Sequence, residues 1–247
     1  MTRASGLSGL VRLRNEAVWC RLALESIVGW CDEVIVVTNR CTDRTPEIVD
    51  GFAAGHPDKV RVFEYPHAIW PMGPGHARID ATDPRSSAAF YNFTQDRATR
   101  THALKWDGDM VAMDWLGNEI RRLLSEGHDR IRFRGTDIVG DELRHIGNHP
   151  LCRTNGVYRI TPQTRYTQGP MTQNLQGIAG IPEYEIERPA FLHTKWARKS
   201  FESATVQWPA NWREIDHFVR IAERRHPVAP YGGEYPASVL ALIGGTT

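Results

Sequence analysis

The chain has 247 residues, 41% of them hydrophobic and 24% charged, and carries a formal net charge of +1. That length suits one large α/β domain or two small ones, and the composition is that of an ordinary soluble globular protein. Near-zero charge excludes a global field drawing the chain to nucleic acid or an anionic membrane. The four cysteines (Cys20, Cys31, Cys41 and Cys152) form no CxxC pair and no zinc-finger spacing, so neither a disulfide framework nor a structural zinc is expected. No signal-type segment and no apolar stretch near the ~20 residues of a membrane span is seen, which makes a cytoplasmic location the expectation.

Leu7 to Leu13 reads as a first, mostly apolar strand, with Asn15 placed to N-cap the helix that follows. In that helix Trp19, Leu22, Ala23, Ile27 and Trp30 recur at three- and four-residue spacing and give one buried stripe. Glu33 to Val37 is a continuous β-branched run, the pattern of a central parallel strand covered on both faces. Thr45 caps the next helix, Pro46 and Glu47 suit its first turn, and Gly55 ends it. Val60 to Tyr65 makes a third strand. The segment from Pro66 to Pro84 is rich in Pro, Gly and His without periodicity, a loop long enough to imply a role.

A helix is expected over Ser86–Arg100, a strand over His102–Trp106, a helix over Trp115–Glu126 and a strand over Asp129–Arg134. This alternation is the signature of a doubly wound parallel sheet. Beyond Gly135 the pattern loosens, with short strands at Val157–Ile160 and Ala190–His193 and a final amphipathic helix over Asn211–Arg225. Arg130, Arg132 and Arg134 alternate along one strand, as a solvated face or a rim drawing a phosphorylated ligand would.

The chemistry concentrates in Trp106-Asp107-Gly108-Asp109-Met110. Asp107 and Asp109 stand just past a strand's C-terminal end, where ligands of open α/β sheets bind. Two carboxylates around a glycine that permits close backbone approach can present oxygens to Mg²⁺ or Mn²⁺. A cation held there would bridge diphosphate oxygens and offset charge on a leaving group. The plainer alternative is a turn closing a strand, which Asp and Gly also favour.

Three motifs in order then resemble family 2 glycosyltransferases over roughly the first half of the chain. Val11-Arg12-Leu13-Arg14-Asn15-Glu16 is similar to the family's opening segment, Val37 to Thr45 to its second-strand motif, and Asp107-Gly108-Asp109 to its D-x-D. The resemblance implies a GT-A fold: α/β and Rossmann-like, with a mostly parallel central sheet, helices on both faces and a single domain. Residues 1–134 would form the nucleotide-sugar-binding half and 135–247 the acceptor-side half. It implies a metal-dependent, hexosyltransferase-type enzyme that moves a sugar from a nucleotide diphosphate sugar to an acceptor hydroxyl, with inversion. Arg14, Glu16, Asn39, Asp43, Asp107 and Gly108 would then line the nucleotide-sugar pocket. Thr38 and Asn39 stand where the family carries carboxylates, which leaves the nucleobase open.

In the second half Tyr158-Arg159-Ile160, Tyr166, Met171-Thr172-Gln173 and Leu192-His193 run parallel to a lipopolysaccharide-core glucosyltransferase-like subgroup. His193 is the candidate third metal ligand beside Asp107 and Asp109, a mixed N,O set that suits Mn²⁺. Lys195 and Arg198 are candidates for reaching the diphosphate. Gln173 replaces the family's glutamate and cannot take a proton, so Asp137 is the expected catalytic base, with Asp141 and Glu142 as alternatives. His145 and His149 are set aside as a zinc pair because Gly147 and Pro150 oppose a helix there. Of Trp70, Trp106 and Trp196, one or two are candidates to stack on a sugar or base. The competing readings are a non-catalytic nucleotide-sugar or saccharide binding module and a sugar nucleotidyltransferase. The latter needs a glycine-rich loop that Val11–Ala17 lacks. The acceptor (saccharide, small molecule, protein or modified nucleic acid) and the oligomeric state stay open.

Overall fold

The computed structural model describes residues 2–70, 79–80, 82–139, 144–146, 153–169, 173–196, 228–229 and 235–239. Seven successive buried residues end the first strand, β1 (Ala4–Leu13). Helix α1 (Cys20–Val28) follows, then β2 (Glu33–Thr38), α2 (Thr45–Ala54) and β3 (Val60–Glu64). All six residues of β2 are buried, as a strand covered on both faces requires. Helix α3 (Ser87–Gln95) leads to β4 (Arg100–Asp107), the short β5 (Met110–Ala112) and α4 (Leu116–Ser125). The remaining elements are strands: β6 (Arg130–Val139), β7 (Arg144–Ile146), β8 (Arg153–Arg159), β9 (Arg165–Gln168), β10 (Gln173–Gln176), β11 (Tyr184–Trp196) and β12 (Val228–Ala229).

The main sheet runs β12-β7-β6-β8-β4-β1-β2-β3, with β11 pairing β5 and β6 outside that path. Its β4-β1-β2-β3 part is parallel, and β8 enters antiparallel between β4 and β6. Connections leave β1 toward β2 on one side while β4 lies on the other, so the strand order reverses between β1 and β4. Such a switch point opens a crevice at the C-terminal strand ends. The domain is single and helices cover both faces of the sheet.

Strand alternation sorts the core. Leu7, Val11, Leu13, Val34, Val36, Leu104 and Trp106 face α1, α2 and α4 in one apolar layer. Leu10, Ile35, Val37 and Ala103 face α3 in another. On α4, Leu116, Ile120 and Leu123 recur at helical spacing and are all fully buried. Gly156 on β8 leaves the space that the Phe133 ring fills, since a Cβ there would lie 1.8 Å from Phe133 Cε1.

Several expectations are corrected. Asn15 does not cap α1: the helix starts at Cys20 behind an uncapped Trp19, and Asn15 adopts φ 56° in the preceding loop. Asn tolerates that left-handed conformation because its side chain bonds locally, here accepting from Thr42 N at 2.7 Å. Thr45 is the first residue of α2 rather than its cap, and its N–H is met by Asp43 Oδ1 at 3.0 Å. Pro46, Glu47 and Gly55 hold their expected places, and Ser86 caps α3 through its side chain. The arginine row is not a free rim: Arg130 and Arg132 both pair with Glu183, and Arg134 Nε donates to Glu187 O. Strands β5, β7, β9, β10 and β12 were not expected from the sequence. The expected helix over Asn211–Arg225 lies outside the described residues, as do Cys152, Asp141, Glu142, His149 and Arg198, and the side chains of His145, Lys195 and Trp196. No helix among the described residues is long and apolar enough to cross a membrane.

At the edge opposite the crevice, Glu33 fastens three elements. Its Oε1 accepts from Ser8 Oγ and Thr99 N, each at 2.6 Å, and its Oε2 from Arg61 at 2.9 Å. Burial pushes this carboxyl up, but the Ser8 and Thr99 hydrogen bonds and the Arg61 charge outweigh it, and the net shift is downward. A depressed carboxyl contributes stability above its unfolded value and loses it as pH falls through the folded one. Glu33→Gln is therefore expected to cost about 1.5–3 kcal/mol at pH 7. The gap to the unsubstituted chain should narrow below pH ~4.3, and urea unfolding at pH 7 and pH 4 measures both.

Candidate active site

The crevice at the β1/β4 switch point is built around the turn between β4 and β5. Register brings Arg12 on β1 opposite Asp107, the last residue of β4. Gly108 then passes so close to the β1–α1 segment that a Cβ would lie 2.2 Å from Leu13 Cδ2 and 3.0 Å from Glu16 Cγ. The buried Trp106 indole donates to Met110 O at 3.0 Å and closes the turn. Trp106 is thus a core residue with a structural hydrogen bond, not a stacking surface.

Asp109 is 6% exposed. Its main-chain oxygen accepts from both Thr194 N at 2.8 Å and Thr194 Oγ1 at 2.9 Å, which ties the turn to β11. In β11, His193 is opposite Met110 of β5 on one side and Asp137 of β6 on the other. Residues directly opposite in neighbouring strands project on the same face. Accordingly His193 Nδ1 lies 2.5 Å from Asp137 Oδ1, and Nε2 lies 3.6 Å from Asp109 Oδ2. A carboxylate against Nδ1 orients the ring and directs Nε2 toward Asp109.

Asp137, expected as the acceptor-side base, is 3% exposed and its Oδ1 lies against His193 Nδ1, a placement that suits orienting the imidazole.

Asp107 is charge-compensated. Lys105 Nζ donates to its Oδ2 at 2.6 Å, and Arg12 Nη2 lies 3.5 Å from its Oδ1. Burial pushes the Asp107 carboxyl up, but the Lys105 ammonium and Arg12 guanidinium outweigh it and hold it well below the usual carboxylate range. Lys105 is correspondingly raised, the Asp107 charge overcoming burial. The Arg12 guanidinium lies 3.8 Å above the Tyr91 ring, while its Nε and Nη1 are buried and meet no acceptor among the described residues. Sequence reasoning missed Arg12 and Lys105 as site residues. The signal was present: Leu10-x-Arg12 and Ala103-x-Lys105-x-Asp107 place charges on a strand face that is otherwise apolar.

The remaining nucleotide-pocket candidates lie in the adjoining loops. Glu16 touches the Gly108 turn. Asp43 accepts from Ala17 N and Thr45 N, each at 3.0 Å, so it welds the β1–α1 loop to the start of α2. Asn39, expected to line the nucleotide-sugar pocket, is 1% exposed and spends its amide on backbone. It donates to Tyr65 O at 3.4 Å and His67 O at 2.7 Å, and accepts from Ile69 N at 3.3 Å. Arg14 donates to Ile69 O at 3.2 Å. Gln173 lies on the separate β9–β10 hairpin.

With the geometry in hand, comparison with known proteins shows the fold. No protein-family model matches the chain, and no curated protein does either. Among solved structures, S. aureus TarS 1-349 superposes with a TM-score of 0.51 at 12% identity, covering 91% of this chain and 67% of that one. The same protein in complex with UDP-GlcNAc gives 0.51 at 14% identity, covering 91% and 68%. The fold is GT-A. Against the longer S. aureus TarS structure the match covers only 41% of that chain, at a TM-score of 0.50 and 12% identity. The chain therefore spans less than half of that longer protein.

Gly108→Ala tests the close approach at the turn. A methyl group there must displace Leu13 and Glu16, and it is expected to cost about 1–3 kcal/mol. Urea unfolding reads this, and unchanged stability would show that the turn has room to spare.

Proposed function

We propose that this chain is a glycosyltransferase that moves a sugar from a nucleoside diphosphate sugar to an acceptor hydroxyl with the help of Mn²⁺ or Mg²⁺. The observation that carries this reading is the convergence of Asp109, His193 and the charge-compensated Asp107 on the crevice of a GT-A sheet. Inversion at the sugar is what the family 2 resemblance implies.

The donor set fits such a cation. Among the described residues no three His, Cys, Asp or Glu side chains converge into a ready-made metal cage. Asp109 and His193 supply an oxygen and a nitrogen, 3.6 Å apart. Two protein donors suit an ion that keeps waters and takes phosphate oxygens. In this reading Asp109 and His193 hold the cation. When bound, it offsets the negative charge that develops on the leaving nucleoside diphosphate. Asp137 is a positioning residue that fixes the His193 ring and its tautomer. Asp107 does not compete for the cation with a bare carboxylate, because Lys105 and Arg12 already meet its oxygens. Those two cations leave one positive charge in excess of Asp107 at this end of the turn, which favours an anionic ligand there. Residues 1–134 then serve the donor, with His193 of β11 joining them at the cation, while the other strands beyond β6 serve the acceptor side.

The S. aureus TarS complex contains UDP-GlcNAc, which makes UDP-sugars the first donors to try. A panel of UDP-, dTDP- and GDP-sugars with Mn²⁺ is expected to show one class that shifts the melting temperature and is hydrolysed or transferred. Binding without turnover of any member would favour the non-catalytic module, and no binding at all would overturn both. Asp137→Asn is expected to weaken Mn²⁺ affinity by roughly 10–100-fold, as loss of a ligand-orienting carboxylate does. Titration calorimetry measures this, and an unchanged affinity would sever Asp137 from the cation site.

A further inference from the structure

Trp70 stands out because it is the exposed large hydrophobic side chain of the described residues, 46% accessible. It is not a loose loop residue. The segment from Pro66 to Trp70 is a strap drawn over the C-terminal edge of the sheet and fastened from several directions. Asn39 holds it through the Tyr65 and His67 carbonyls and the Ile69 N–H. Arg14 Nη1 holds the Ile69 carbonyl and Arg40 Nη2 the Pro66 carbonyl, at 3.2 and 3.1 Å. Trp70 N donates to Arg85 O at 3.0 Å. The Arg85 guanidinium lies 5.2 Å from the indole ring and is itself held by Asp83 through two hydrogen bonds of 3.0 and 2.7 Å.

The strap is ordered by these bonds, yet among the described residues its indole stays largely in water, with the Arg85 guanidinium as its ring contact. Its anchors come from the β1 and β2 ends, beside the crevice that holds Asp107 and Asp109. The guanidinium of Arg85 braces the indole ring, and the exposed Arg14 and Arg40 stand beside the strap. A flat π surface with the exposed Arg14 and Arg40 guanidinium groups nearby suits a planar heteroaromatic ring joined to phosphate.

We propose that Trp70 is the stacking wall for the nucleobase of the donor, and that Asn39 is the positioning residue that holds the strap in place. This rests on the nucleoside diphosphate sugar reading above and adds the residue that recognises the base. It also accounts for an amide at position 39. Only a group that both donates and accepts can satisfy two carbonyls and one N–H together. An aspartate there would face the two carbonyls with no hydrogen to offer.

The test compares binding of UDP, GDP and inorganic pyrophosphate, each with Mn²⁺, to the full chain and to Trp70→Ala, Trp70→Phe and Asn39→Asp. Trp70→Ala is expected to weaken the nucleotide the chain prefers by roughly 5–100-fold, the usual worth of a base–aromatic stack, and Trp70→Phe to restore most of it. Asn39→Asp is expected to lose nucleotide affinity in the same way. Pyrophosphate binding should be unchanged in all three variants, which separates base recognition from a general loss of folding. Nucleotide affinity unchanged in Trp70→Ala overturns the proposal while leaving the proposed function intact, and so does a defect confined to the acceptor's KM. If the unsubstituted chain binds pyrophosphate but no nucleotide, the proposed function falls and this inference falls with it.

Discussion

The crevice depends on where β11 lies. This strand runs parallel to β6 and antiparallel to β5 at once, with His193 opposite Asp137 on one flank and Met110 on the other. Two hydrogen bonds from Thr194 to the Asp109 carbonyl lock that register. A slip by one residue would turn His193 to the other face, where Leu192 now packs with Trp19 and Ile138. The late histidine, the buried carboxylate behind it and the second aspartate of the turn therefore form one unit, fixed by sheet pairing rather than by loop conformation.

Charge is distributed unevenly across that unit. Asp137 and Asp109 face the imidazole, whereas Asp107 faces Lys105 and Arg12. Burying a guanidinium with two nitrogens unmet costs free energy. The Tyr91 ring beneath it recovers part of that cost through a cation–π contact. The two aspartates of the D-x-D turn thus have different surroundings although one residue separates them. In the proposed reaction one holds the cation, and the other balances charge below the diphosphate.

Much of the frame was legible in the sequence because its physics is local. The β-branched run of β2, the helical stripes of α1 and α4, and Pro46, Glu47 and Gly55 around α2 each declare themselves within a few residues. The position of Asp107-Gly108-Asp109 after the fourth strand was legible too, since alternating elements place that strand end in a crevice. What escaped was set by pairing over distance. Asp137 and His193 are 56 positions apart, and only strand register brings them together. The hold of Asn39 on the strap was hidden because its hydrogen-bonding partners, the backbone of Tyr65, His67 and Ile69, belong to a segment without periodicity. Asn15 looked like a helix cap because its left-handed backbone is imposed by contacts with Thr42 on a neighbouring loop.

The proposed chemistry depends on which side chains hold the cation. Crystals soaked with Mn²⁺ and the preferred nucleoside diphosphate, with data collected at the manganese absorption edge, locate the ion directly. One anomalous peak bonded to Asp109 and His193 Nε2 is expected, with Lys105 still paired to Asp107. A peak bonded to Asp107 with Lys105 displaced, or an ion bound away from His193, would contradict the proposed chemistry.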